Sequence, residues 1–120
     1  MSKVKVFKDF TQDDTFVIKV SHNPVLDITG AVFDVTLKQN PDSTTAALDV
    51  SYTVPVGADA TNGIAYIPIT GAVTSLVSEG DYYGSIKRTI GTSTITVLSS
   101  CMPNVDKVHC CKTLKEKVTE

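Results

Sequence analysis

Thr74-Ser75-Leu76-Val77-Ser78-Glu79-Gly80-Asp81-Tyr82-Tyr83-Gly84 is the stretch that decides how this chain folds. Adjacent residues of a strand point to opposite faces, so Tyr82 and Tyr83 put one ring on each side. Tyr82 is expected to pack inward and Tyr83 outward. An inward Tyr at the start of a late strand, with its hydroxyl tying down the loop before it, shapes the corner of a two-sheet sandwich. Gly80 and Tyr82 are therefore the expected structural corner.

Working outward, residues 14 to 99 read as a train of short alternating strands. Phe16, Ile18 and Val20 share one face, with Val17, Lys19 and Ser21 on the other. His22-Asn23-Pro24 interrupts them, because Asn favours a turn and Pro stops a ladder. Ala31, Phe33, Val35 and Leu37 alternate with Val32, Asp34, Thr36 and Lys38, up to the break at Gln39-Asn40-Pro41-Asp42-Ser43. Leu48, Val50, Tyr52 and Val54 form the next strand. A polar turn follows at Gly57 to Gly63, where Asn62-Gly63 tolerates positive φ. Ile64 to Ile69 is a strand whose Pro68 suits an edge. One helical turn near Ala72 to Val77 should carry the chain across. Asp81 to Thr89 and Ser93 to Ser100 form a last pair joined through Ile90-Gly91-Thr92. The expected fold is all-β, an immunoglobulin-like sandwich of about seven antiparallel strands. In antibody domains a Cys follows the corner Tyr by two residues, a place that Gly84 takes here.

Two segments lie outside that train. Residues 1–13 are expected to be an N-terminal arm with a short strand at Val4 to Phe7, residues 14–100 the sandwich domain, and residues 101–120 an irregular C-terminal extension. At 120 residues one core suffices without metals or staples. A net charge of −2 gives no general attraction to nucleic acid or anionic membrane. No run approaches the roughly 18 apolar residues of a membrane span, and Met1 to Val6 lacks the apolar segment of a secretory signal. Synthesis in a cytosol follows as the expectation, with exit by lysis or inside an assembly. The three cysteines, Cys101, Cys110 and Cys111, are an odd number confined to the end of the chain, so no disulfide framework is expected. A bridge from Cys101 to either of the others is geometrically open, while adjacent cysteines seldom pair.

The residues offer little chemistry. Ser21, His22 and Asp27 make a triad only on paper, since neighbouring strand residues face opposite ways and no nucleophile elbow is present. His22 reads as a turn residue. Asp13 and Asp14 read as solvated loop carboxylates, because a calcium site needs six or more oxygens from a spaced loop. Cys101, His109, Cys110 and Cys111 supply zinc-compatible atoms without C-x-x-C spacing. The glycines are scattered and form no phosphate loop. The tail's Lys107, Lys112, Lys115 and Lys117 are diluted by Glu116 and Glu120 and lack aromatic neighbours for base stacking. No catalytic residue, cofactor, metal or small-molecule substrate is expected. Tyr83, with Lys87 and Arg88 beside it, is the candidate protein interface, because Tyr and Arg are enriched in such contacts.

The order Thr15-Phe16-Val17-Ile18, Leu26-Asp27-Ile28-Thr29-Gly30-Ala31, Ala60-Thr61-Asn62-Gly63-Ile64-Ala65-Tyr66 and Glu79-Gly80-Asp81-Tyr82-Tyr83-Gly84 resembles the N-terminal Ig-like domain of bacteriophage baseplate upper proteins. The likeness spans about residues 14 to 100. It implies that Leu26 and Ile28 plug the sandwich mouth and that Thr29-Gly30 and Asn62-Gly63 turn into strands. It also implies an assembly module: a noncatalytic virion subunit, such as a tail, baseplate or head-neck adaptor, stopper or decoration protein. Its partners would be other virion structural proteins and further copies of itself, with no nucleic acid and no membrane. No stalk or adhesion domain is expected after the sandwich, a departure from that family's receptor-binding members. The lack of Trp and of a core Cys pair argues against an antibody-type receptor domain. The alternative is an Ig-like module that binds host-surface carbohydrate, with Tyr52, Tyr66 and Tyr83 as stacking candidates.

Overall fold

A computed structural model describes residues 4–22, 24–102 and 104–111. The expectations for Asn23, Lys112, Lys115, Lys117, Glu116 and Glu120 fall outside the described residues. In chain order the elements are β1 (Val4–Lys5), β2 (Phe10–Thr11), β3 (Phe16–Ser21), β4 (Val32–Lys38), β5 (Leu48–Thr53), α1 (Ala58–Thr61), β6 (Ile64–Ile69), α2 (Gly71–Thr74), β7 (Gly80–Ile90), β8 (Ser93–Ser99), β9 (Val105–Asp106) and β10 (Val108–Cys111). Half of the described residues are in strands and 8% in helices, so the protein is mostly β.

The alternation seen in the sequence is what the sheets bury. Phe16, Ile18 and Val20 of β3 are buried while Val17, Lys19 and Ser21 are exposed, and β3 pairs antiparallel with β6 along its whole length. Phe33, Val35 and Leu37 of β4 have no exposed surface. β4 lies between β5 and β7, antiparallel to both. The larger sheet runs β2-β10-β7-β4-β5, with β8 also on β7. Inward residues of both sheets, from Phe16 and Ile67 to Phe33 and Tyr82, join in one hydrophobic cluster. Burying each such side chain is worth about 1.5–3 kcal/mol, so this shared cluster is the main stabilising term.

Three expectations need correction. The strands outnumber the seven or so expected and are not all antiparallel: β1 pairs parallel with β9, and β2 parallel with β10. The stretch read as an irregular extension contains β9 and β10, and Val108 and Cys110 of β10 are fully buried against the inner layer. The polar turn at Gly57 to Gly63 holds the short helix α1, with Ala60 buried. The other helical turn falls at Gly71–Thr74, slightly ahead of its expected place.

The segment ahead of β3 reaches the core for a reason the strand pattern does not display. Phe7, Phe10 and Phe16 have ring centroids 5.6–6.2 Å apart, so the residues ahead of β3 contribute an aromatic cluster. Thr74 is fully buried and polar, and its hydroxyl donates to the Asp14 carbonyl at 2.7 Å, fastening α2 to the start of β3. Gly63 takes φ 75, and a Cβ there would stand 2.9 Å from the Leu26 carbonyl oxygen. Only glycine satisfies both demands at this entry to β6. Ile28 is fully buried whereas Leu26 stays 41% exposed, so Ile28 alone fills the adjoining space.

Candidate functional site

β7 is the longest strand, at 11 residues, and two strands share one of its edges in succession. β10 pairs with Gly80 to Tyr82, and β8 pairs with Ser85 to Ile90. Ser100 spans the changeover. Its amide donates to the Gly84 carbonyl at 2.8 Å, while its hydroxyl accepts from the Gly84 amide and donates to the Asp106 carbonyl, both at 3.0 Å.

The corner residues lie at the start of β7. Tyr82 is 1% exposed, and its hydroxyl donates to the Ser78 carbonyl at 2.6 Å. Burial raises its pKa, and the neighbouring Cys110 adds to the effect. Gly80 takes φ 149, a conformation that side chains rarely adopt.

Strand alternation sorts the expected interface residues onto two faces. Tyr83 and Lys87 share the outer face, whereas Arg88 lies opposite the buried Phe33 in register and belongs to the inner side. The expectation that Tyr83, Lys87 and Arg88 act together is therefore corrected: four positions along a strand return to the same face, and five do not. Arg88 instead has its Nε buried with no hydrogen-bond partner among the described residues.

In place of Arg88, the outer face gathers groups from other strands. Lys38 of β4 stands across from Tyr83, and Lys107 holds its Nζ 4.6 Å from the Tyr83 ring centroid. Such a cation over a ring is worth roughly 0.5–1 kcal/mol when exposed. Between the Lys38–Tyr83 row and the Lys87–Thr96 row lies a row of hydroxyls, Thr36, Ser85 and Ser99. Together these rows line a depression of about 360 Å³, with Cys101 at its rim. Sequence reading found Tyr83 and Lys87 but missed Lys38, Lys107 and the hydroxyl row. The β4–β7 register was the missing information, and Lys107 carries no local signal that aims it at Tyr83.

The other weighed residues stay apart. Asp27 accepts from the amide and hydroxyl of Thr29, at 3.0 and 2.7 Å, and these bonds lower its pKa. His22 places Nδ1 2.7 Å from the Gly63 carbonyl oxygen, so Ser21, His22 and Asp27 form no relay. Asp14 accepts from the Thr11 amide at 2.9 Å. All three thiols are unbridged: Cys110 faces the core, where burial raises its pKa, while Cys101 and Cys111 are exposed. His109 contacts Asp81, and its amide donates to Asp9, which also pairs with Lys5 at 2.6 Å. Among the described residues no three metal-ligating side chains converge, and no helix is long and apolar enough to cross a membrane.

No protein-family model, curated protein or solved structure matches this chain.

Proposed function

We propose that the protein is a noncatalytic structural subunit of a bacteriophage virion, made in the host bacterial cytoplasm. It is built on an Ig-like β-sandwich and acts in several copies through contacts with other virion proteins. One observation carries the fold part of this reading. The order β10-β7-β4-β5 supports it, since the G, F, C and C′ strands of a variable-type Ig sheet run in that order, as does the tie from Tyr82 back to Ser78; β8, which shares an edge of β7 with β10, is an addition to that plan. The residue order between 14 and 100 supports the phage-family part.

A contact function is supported by the strand edges and by scattered apolar surface. β3, β5 and β6 each have one edge with no strand partner among the described residues, and an unpaired edge is a ready docking device. Val17, Val56 and Leu76 stand largely exposed. Several identical copies would meet through symmetric interfaces.

The test is the mass of the purified protein by light scattering over a concentration series, with and without reductant. A defined oligomer whose mass ignores reductant is the expected result, and a monomer throughout overturns the multi-copy reading. Tyr52 and Tyr66 line a common cavity of about 230 Å³, so a monomer retained on immobilised host glycans would move the reading to a carbohydrate-binding module.

A further inference from the structure

We propose that the depression on the outer face of β4, β7 and β8 is a binding site for a phosphate-type oxyanion, free or carried on a small sugar. The site is defined by Thr36, Lys38, Tyr83, Ser85, Lys87 and Ser99.

Charge is the first observation. The chain as a whole carries −2, yet this face brings together Lys38, Lys87 and, over Tyr83, Lys107. None of the three lysines forms an ion pair among the described residues. Three carboxylates share this face by register without lining the depression: Asp34 across from Lys87, Asp49 across from Thr36, and Asp81, which contacts His109, two residues before Tyr83. None of them pairs with the three lysines. Gathering ammonium groups without partners costs repulsion, which a bound anion would offset.

Spacing is the second observation. Lys38 and Lys87 flank the hydroxyl row from rows that are four residues apart along β7, roughly 13 Å at the rise of a strand. Both lysines line the depression, and each side chain is long enough to bring its ammonium group over the hydroxyl floor when an anion is bound. Thr36, Ser85 and Thr96 spend their hydroxyls on no other group among the described residues, and Ser99 accepts only from the Cys101 amide. Ammonium groups on the walls and donor hydroxyls on the floor suit an acceptor-only ligand with several oxygens.

Volume and shape are the third. About 360 Å³ lies within the range of ligand pockets and exceeds what a bare phosphate fills. The ring of Tyr83 supplies an apolar wall, and the hydroxyl floor matches a polyhydroxylated carrier. A fixed frame holds the site: the Ser100 clasp sets the changeover from β8 to β10, and an irregularity in the β7–β8 register at Ile86/Lys87 sets which β8 residues face the depression.

The experiment is a two-dimensional amide NMR titration of the full chain with glucose 6-phosphate, inorganic phosphate and glucose, at low salt. Saturable shifts centred on Tyr83, Ser85, Lys87 and Ser99 with the phosphate compounds, and none with glucose, are expected. Stronger binding of the sugar ester assigns the carried phosphate as the source, while equal binding assigns the free anion. The double variant Lys38→Gln with Lys87→Gln should weaken the affinity tenfold or more without changing the fold, because both side chains lie on the outer face. Lys19→Gln, on the other sheet, should leave it unchanged. Absence of saturable shifts overturns the site, as do equal shifts with glucose. Equal weakening by Lys19→Gln also overturns it, since that would reveal attraction to charge in general.

Discussion

β8 and β10 lie on the same edge of β7 and differ in what they contribute. β10 has four residues, two of which, Val108 and Cys110, are fully buried beside Tyr82. β8 has seven, and none is buried. The short strand places side chains fully inside the core, whereas the long one only packs the half-buried Val97 and Leu98 against it and leaves Ser93 to Thr96 exposed. Strand length is therefore a poor guide to stability here, and burial of alternate side chains is a better one.

The sharpest test of that division is Tyr82→Ala, which should cost about 3–5 kcal/mol in urea unfolding, because a large side chain leaves a closed space. Tyr82→Phe isolates the hydroxyl, and its cost should be about 1 kcal/mol, the net worth of one hydrogen bond. On β10, Val108→Ala should destabilise by about 2–3 kcal/mol. Its counterpart on β8, Ile95→Ala, should cost less than about 1 kcal/mol, since Ile95 is already 46% exposed. Equal costs for Val108→Ala and Ile95→Ala would break the comparison.

Acid and alkali probe the same contrast more gently. Asp27 and Asp9 have lowered pKa values: Asp27 through Thr29, and Asp9 because Lys5 and the His109 amide outweigh its burial. A carboxylate lowered in the folded state binds its proton more readily when unfolded. Its contribution is therefore present above about pH 4 and disappears as pH falls through the folded value. Tyr82 and Cys110 are raised by burial, so the unfolded chain loses those protons first and stability should fall above about pH 9. Unfolding midpoints at pH 3, 7 and 10 would check both limbs. The smallest effect belongs to Lys87→Gln, expected to stay within about 0.5 kcal/mol of the parent because the side chain is exposed.

Much of the strand layout could be read from alternation. Ile64–Ile69 has the expected bounds, β3 and β4 bury the residues their period assigns to the inside, and β5 buries Leu48 while leaving Val50 and Tyr52 half-buried. β10 escaped notice because its alternation, Val108 and Cys110 against His109 and Cys111, is only four residues long and lies among lysines and thiols that invite a chemical reading. The aromatic cluster was hidden for a different reason: Phe7 and Phe10 sit on segments too short to show a period, and only tertiary contact with Phe16 explains them. Within the candidate site, Tyr83 and Lys87 were legible. The misplacement of Arg88 was avoidable, since period 2 counted from Tyr83 reaches Lys87 and passes over Arg88. Lys38 was not legible, because no single strand encodes which neighbour will lie across from it.

The parallel pairings of β1 with β9 and of β2 with β10 have a mechanical consequence. Tension applied through the residues before β1 and after β10 pulls each of these pairs lengthwise in opposite directions. The bonds of a pair then bear the load side by side in shear, instead of parting one after another as in an unzipping hairpin. Resistance to pulling therefore begins with two residue pairs in each ladder, before the force reaches the hydrophobic cluster.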